Sequence, residues 1–443
     1  MKKQSWIIAA LTAVSMLAGC GQQAQPAGTS ADHASHGAGS ADAGAIGGQK
    51  VTIDFWYSLG GKNGEIVKAM VDEFNQSQQA VEVKATYQGN YYDNHAKVLA
   101  ALATNTQPDV TMVEIASIAA FADAGALEDL KPFAEGQNGT DMQDYIPGLL
   151  GNSYWQDKFV ALPFNRSTPL LYVNRDMLKK AGLNPEGPKT WDELREFSKK
   201  LSQGKGDAQT WGFSTPIDIW FYEALTFQAG GEILSEDGKQ VKFNDDKGTA
   251  PIQFWSDMIK EQSMKMPPGE KYDAWDVAEA DFTNQKVGMI FTSTGSLNGI
   301  LEKAKFDVGT AFLPAKESFG VPTGGANLVM LSKSTPEEKA GAWAFMKWLT
   351  ESDRTAKFSK ETGYMPVRTS ALESEPMKSL YAEKPQFKVA IDQLQYAKPR
   401  PMAPGYKELQ ETIMSEIQRT ILGQATPQDA LNKAAEKGQK LLK

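Results

Sequence analysis

The sequence predicts an α/β protein built as two lobes. Three observations carry that expectation. Strand and helix patterns alternate from Val51 onward, a second alternation begins at Leu170, and residues 51–443 are enough for two domains of ordinary size.

Val51, Ile53, Phe55 and Tyr57 alternate with polar neighbours, which is the period of a half-buried strand. Ile66, Val67, Met70, Val71 and Phe74 then recur at helical spacing. "VEVKATY" (81–87) predicts a second strand, and Val98, Leu99 and Leu102 a second helix ending near Thr104. "DVTMVE" (109–114) predicts a third strand, so the opening is a βαβ lobe with parallel strands. A loop-rich stretch follows from Pro132 to Asp157. In the second alternation, Thr190 and Glu193 predict a capping box for "WDELREFSKKLSQ". "VGMIFTST" (287–294) reads as a buried strand, followed by a helix after Gly295. Thr335-Pro336 and Thr426-Pro427 mark the starts of two late helices.

The amino terminus predicts export. Lys2 and Lys3 precede a short apolar run from Trp6 to Leu17, too short to span a bilayer stably. Leu17-Ala18-Gly19-Cys20 closes it, and Cys20 is the only cysteine, so neither an internal disulfide nor a zinc–cysteine cluster is available. The tetrad resembles a bacterial lipobox. That resemblance implies a signal peptide over 1–19, a diacylglycerol-bearing Cys20, and a protein tethered to the outer face of the membrane. Residues 20–50 are rich in Gly, Ala, Ser and Gln and are expected to act as a flexible tether. His33 and His36 lie there and read as solvated polar groups rather than a metal site.

Without Lys2 and Lys3, 44 lysines and arginines oppose 54 acids, a formal charge of about −10. A surface that acidic argues against nucleic acid and against docking on anionic lipid. Catalytic motifs are sparse: the chain has no GxSxG, HExxH or P-loop, and His95 is the one histidine after the tether. No metal or cofactor is expected. Paired carboxylates for glycoside hydrolysis stay open, because 54 acids allow many pairs.

Six segments follow one another along the body: "FWYSLGG" (55–61), "TYQGNYYDN" (86–94), "LPFNRSTPLLYVNRD" (162–176), "STGSLNGI" (293–300), "PTGGANLVML" (322–331) and "ETGYMPVR" (361–368). Together they resemble the extracellular solute-binding proteins of carbohydrate-type ABC importers, with the nearest likeness to the sn-glycerol-3-phosphate-binding branch. The resemblance implies a type II periplasmic-binding-protein-like fold, with a cleft between lobes joined by crossing strands near 164–168, 291–294 and 364–368. Lobe 1 would comprise 51–166 and 294–364, and lobe 2 would comprise 167–293 and 365–443. It also implies a monomeric, non-catalytic protein that captures glycerol 3-phosphate or a related glycerophosphodiester by lobe closure and delivers it to permease transmembrane subunits.

Carried over position by position, the resemblance implies that Tyr91 contacts the polyol and Glu114 accepts from its hydroxyls. Ser167 and Ser293 would donate to phosphate or hydroxyl, and Gly325 would approach through its backbone N–H. Tyr364 and Trp220 would complete the site. The family's late-helix arginine falls at Gln410 here, which removes a charge-assisted contact. Arg166 and Arg400 are the candidate replacements. If neither reaches the cleft, an unphosphorylated sugar or polyol, or a bulkier glycerophosphodiester, is the expected ligand; an oligosaccharide is the runner-up within the same class. A secreted carbohydrate-active enzyme is the remote alternative.

Overall fold

The computed structural model describes residues 50–442, all of them within one compact unit. Cys20, the signal segment and nearly all of the tether lie outside the described residues. The first half of the chain supplies β1 (Val51–Tyr57), α1 (Gly61–Ser77), β2 (Val81–Tyr87), α2 (Tyr91–Thr104) and β3 (Val110–Glu114). It continues with β4 (Leu162–Ser167), β5 (Pro169–Asn174), β6 (Trp211–Ser214) and α3 (Ile219–Gln228). The second half supplies β7 (Met264–Lys265), α4 (Trp275–Thr283), β8 (Val287–Ser293), α5 (Leu297–Lys303), β9 (Val308–Ala311), β10 (Gly324–Met330) and α6 (Tyr406–Ile421).

These strands form two five-stranded sheets. The first has the order β2-β1-β3-β10-β4, parallel across β2, β1 and β3 and antiparallel where β10 enters. The second has the order β9-β5-β8-β6-β7. Ile53 and Phe55 of β1 and Val67 of α1 are fully buried, as their periodicities require. In the second lobe Phe213, Phe221, Trp255 and Phe291 are equally buried. Trp343 lies in the first core, and Trp348 packs edge-on against Phe74 at 5.5 Å.

Two sequence expectations need correction. The Thr190 side chain accepts the Glu193 N–H at 3.2 Å, but the Glu193 carboxylate takes the Lys189 N–H at 2.6 Å instead of closing a box on Thr190. Val308–Ala311, expected in the first lobe, forms the edge of the second sheet against β5, with Gly309 opposite Val173. A four-residue strand with no apolar period gives the sequence no means of showing which sheet it joins.

A single residue, Thr168, separates β4 in one sheet from β5 in the other. Its carbonyl accepts the Thr294 N–H at 3.1 Å, and the Arg166 carbonyl accepts the Met365 N–H at 2.9 Å. The three segments from 164–168, 291–294 and 364–368 therefore meet side by side between the sheets.

Candidate ligand-binding cleft

In open α/β sheets, ligands sit beyond the carboxyl ends of the strands, where loops converge. That is where this chain places its polar groups. β1 leads to Gly60, β2 to Asn90, Tyr91 and Tyr92, and β3 ends in Glu114. From the other side, β8 ends in Ser293, the loop after β6 delivers Asp218 and the first turn of α3 delivers Trp220. They enclose a cleft of about 740 Å³.

Local caps fix its walls. The Asn90 side chain accepts the Tyr92 and Asp93 N–H groups at 2.9 and 3.0 Å, which sets the first turn of α2 and its two tyrosines at the cleft. Asp218 caps α3 by accepting the Trp220 N–H at 2.8 Å, and the Trp220 indole donates to the Thr323 carbonyl at 3.1 Å. A Cβ at Gly324 would lie 2.3 Å from that indole, so only glycine lets the ring seat there. Trp275 stands beside it, ring centroids 6.2 Å apart. The Tyr91 hydroxyl accepts from Asn165 Nδ2 at 2.5 Å, and the Tyr364 ring stacks on Phe358 at 5.6 Å.

Of the residues expected from the sequence, Tyr91, Glu114, Ser167, Trp220, Ser293, Gly325, Tyr364 and Arg400 all line this one cleft. Gly325 has φ +86°, and a Cβ there would lie 1.9 Å from the Asn165 carbonyl oxygen. Gly325→Ala should therefore cost about 2–4 kcal/mol of stability in urea denaturation. A loss below 1 kcal/mol would show that this end of β10 yields without strain.

Arg166 is placed differently from the expectation. It is wholly buried and absent from the cleft wall. Its guanidinium donates to the carbonyls of Gly324 (3.1 Å) and Leu149 (2.8 Å), to Asn327 Oδ1 (3.0 Å) and to Thr323 Oγ1 (2.9 Å). Four of its five N–H groups are thereby used. Burial pushes the guanidinium down to about 9, which leaves it charged at neutral pH. Arg166 is a hinge strut. Gln410 is likewise buried within α6, its Nε2 without a partner, and does not reach the cleft.

Arg400 does reach it. Nε and Nη2 donate to Glu223 Oε2 and Oε1 at 2.8 and 2.9 Å, and Nη1 pairs with Glu114. Tyr406 donates to the same Glu223. Burial alone would lower the Arg400 guanidinium, but Glu223 and Glu114 outweigh it and hold the group well above its ordinary value. Two of its five N–H groups remain free of these carboxylates.

Sequence reasoning missed Tyr92, Asp218, Asp273, Trp275, Asp276 and Glu279, all on the wall. "YDAWDVAE" (272–279), dense in acids and aromatics, was the available signal. The missed residues change the electrostatics. Glu114, Asp218, Asp273, Asp276 and Glu279 face the cleft, and Arg400 is the one cation in its wall among the described residues. Burial raises the Asp218 and Glu279 carboxyls above their ordinary values. At the rim, Lys407 of α6 sits 3.7 Å from the Tyr92 ring centroid. No group of three metal-ligating side chains occurs among the described residues.

The family model for bacterial extracellular solute-binding proteins matches residues 69–389. The chain belongs to that family. This solute-binding protein is 29% identical over 412 residues to the sn-glycerol-3-phosphate-binding periplasmic protein UgpB of Salmonella paratyphi A, covering 88% of this chain and 92% of the relative. It is 30% identical to UgpB of Yersinia enterocolitica, with the same coverage. Among solved structures, UgpB from Mycobacterium tuberculosis in complex with glycerophosphocholine superposes with a TM-score of 0.80 at 27% identity, covering 89% of this chain and 99% of that one. A Thermotoga lettingae solute-binding protein bound with α-D-tagatose gives 0.79 at 25% identity, covering 89% and 100%. The solute-binding protein is thus the extracytoplasmic capture component of an ABC importer, with the two-lobed fold of that class. Among the described residues, no helix is long and apolar enough to cross a membrane.

Proposed function

We propose that the protein captures a glycerophosphodiester outside the cell, held to the membrane by lipid on Cys20, and passes it to its permease as the lobes close. The observation that carries this reading is the charge of the cleft: one guanidinium, already shared by Glu114 and Glu223, among five facing carboxylates. A phosphomonoester brings nearly two negative charges, whereas a diester brings one. At an effective dielectric of about 20, the extra charge costs about 3 kcal/mol against each carboxylate about 6 Å away. Arg400 has donors left for a single anionic centre, and Ser167, Ser293 and the Gly325 N–H stand around the same space. Glu114 and the rings of Tyr91, Trp220 and Tyr364 would then receive the glycerol. The curated UgpB relatives and the glycerophosphocholine complex support a glycerol-phosphate ligand.

A second reading, an unphosphorylated sugar, is favoured by the same acids and rings and by the tagatose-bound relative. A thermal-shift and calorimetry panel separates the two. Glycerophosphocholine at about 100 times its Kd should add roughly 2.7 kcal/mol of stability. Glycerol 3-phosphate should bind at least tenfold more weakly. If the monoester binds more tightly than the diester, the charge argument fails; if only a neutral sugar binds, the second reading replaces the first.

A further inference from the structure

A second chamber of about 580 Å³ adjoins the cleft, the two sharing Gly60, Asp276, Glu279 and Ser296 in their linings. One helix face builds much of its side: Asp276, Glu279, Ala280 and Thr283 of α4 recur at i, i+3, i+4 and i+7. Ser296, Gly299, Ile300 and Lys303, from α5 and the turn before it, repeat the same spacing opposite. The start of α1 closes the third side with Lys62 and Asn63.

Its chemistry differs from that of the main cleft. The cleft carries five aromatic rings, Tyr91, Tyr92, Trp220, Trp275 and Tyr364, whereas the chamber carries none. Its functional groups are donors and acceptors in mixture: lysines, asparagines, a threonine and carboxylates. The first turn of α1 adds open donors, since Gly64 is the first of its N–H groups to find an intrahelical carbonyl, Gly60, at 3.1 Å. A trimethylammonium group makes no hydrogen bonds and is recognised by ring faces, so it gains nothing here. A hydroxyl both donates and accepts, so it can pair with carboxylate, amide and ammonium alike.

We infer that the chamber receives the second alcohol of the bound diester, and that this alcohol is polyhydroxylated: glycerol, a sugar or a cyclitol. The inference rests on the glycerophosphodiester reading and names its headgroup. With glycerol among the rings and phosphate near Arg400, the remaining ester oxygen leads past Ser293 and Ser296 into the chamber.

Gly299 offers a clean test. It lines the chamber, sits within α5, and a Cβ built there meets nothing within 4 Å. Gly299→Leu therefore fills the chamber without forcing the fold. Calorimetry on the full-length protein should show glycerophosphoinositol binding at least tenfold more tightly than glycerophosphocholine. Gly299→Leu should cost glycerophosphoinositol at least tenfold and glycerophosphocholine less than twofold, with unchanged melting of the free protein. Equal affinities for the two diesters, or equal losses in the variant, would overturn the inference. If no diester binds at all, the diester reading is what has failed. Maltotriose and glucose then replace the diesters in the same comparison: selective loss of maltotriose in Gly299→Leu sustains a hydroxyl-recognising chamber, and equal or no loss overturns it.

Discussion

Arg400→Met is expected to lower stability by about 3–5 kcal/mol and to abolish measurable ligand capture. The stability loss comes from Glu223, which has no solvent exposure and would be left with the Tyr406 hydroxyl as its remaining partner. The capture loss comes from the cleft, which would lose its one cation while keeping its carboxylates. The two effects can be separated. Adding Glu223→Leu removes the orphaned charge, so the double variant should regain most of the stability in urea denaturation and still give no binding heat. If the single variant loses less than 1 kcal/mol, Glu223 is protonated in the native state and the pair contributes little. If it still binds a diester at near wild-type affinity, the anion is held elsewhere.

Arg166→Met should be as costly to the fold and much milder for selectivity. Four buried acceptors, on Leu149, Thr323, Gly324 and Asn327, lose their donor together, and a loss of about 3–5 kcal/mol is expected. Because the guanidinium faces away from the cleft, the ratio of affinities for glycerophosphocholine and a neutral polyol should stay within twofold of wild type. A selective loss of the phosphorylated ligand would mean that Arg166 turns inward when ligand arrives.

These two arginines show what the sequence could and could not reveal. The β1-α1-β2-α2-β3 unit was legible because period-two and helical spacings are local properties of the chain. The six segments, spread over the body, contain five of the eight expected residues that meet in the cleft, Tyr91, Ser167, Ser293, Gly325 and Tyr364, while Glu114, Trp220 and Arg400 lie outside them. Arg166 was misplaced although a local rule was available. Side chains of a strand alternate faces, so an arginine beside a cleft-facing Ser167 points the other way. Arg400 was harder. Its partner Glu223 lies 177 positions away, and no spacing in either segment announces the pair. The acidic wall of α4 was missed for a different reason: charged residues on a helix read as a solvated face unless something is known to cover them.

The single-residue step at Thr168 has a consequence for how a solute would be held. The crossing is tied by backbone hydrogen bonds at Thr168 to Thr294 and at Arg166 to Met365, so a rotation of the lobes would turn about these three adjoining segments. Ser167, Ser293 and Tyr364 lie within those segments, so they keep their mutual spacing whatever the opening angle. Tyr92 on α2 and Trp275 on α4 lie outside those segments, so rotation would change their spacing. A solute's anionic centre would therefore find its seat ready-made in the open protein and set the rate of arrival, while the rim residues, arriving last, would set how long it stays.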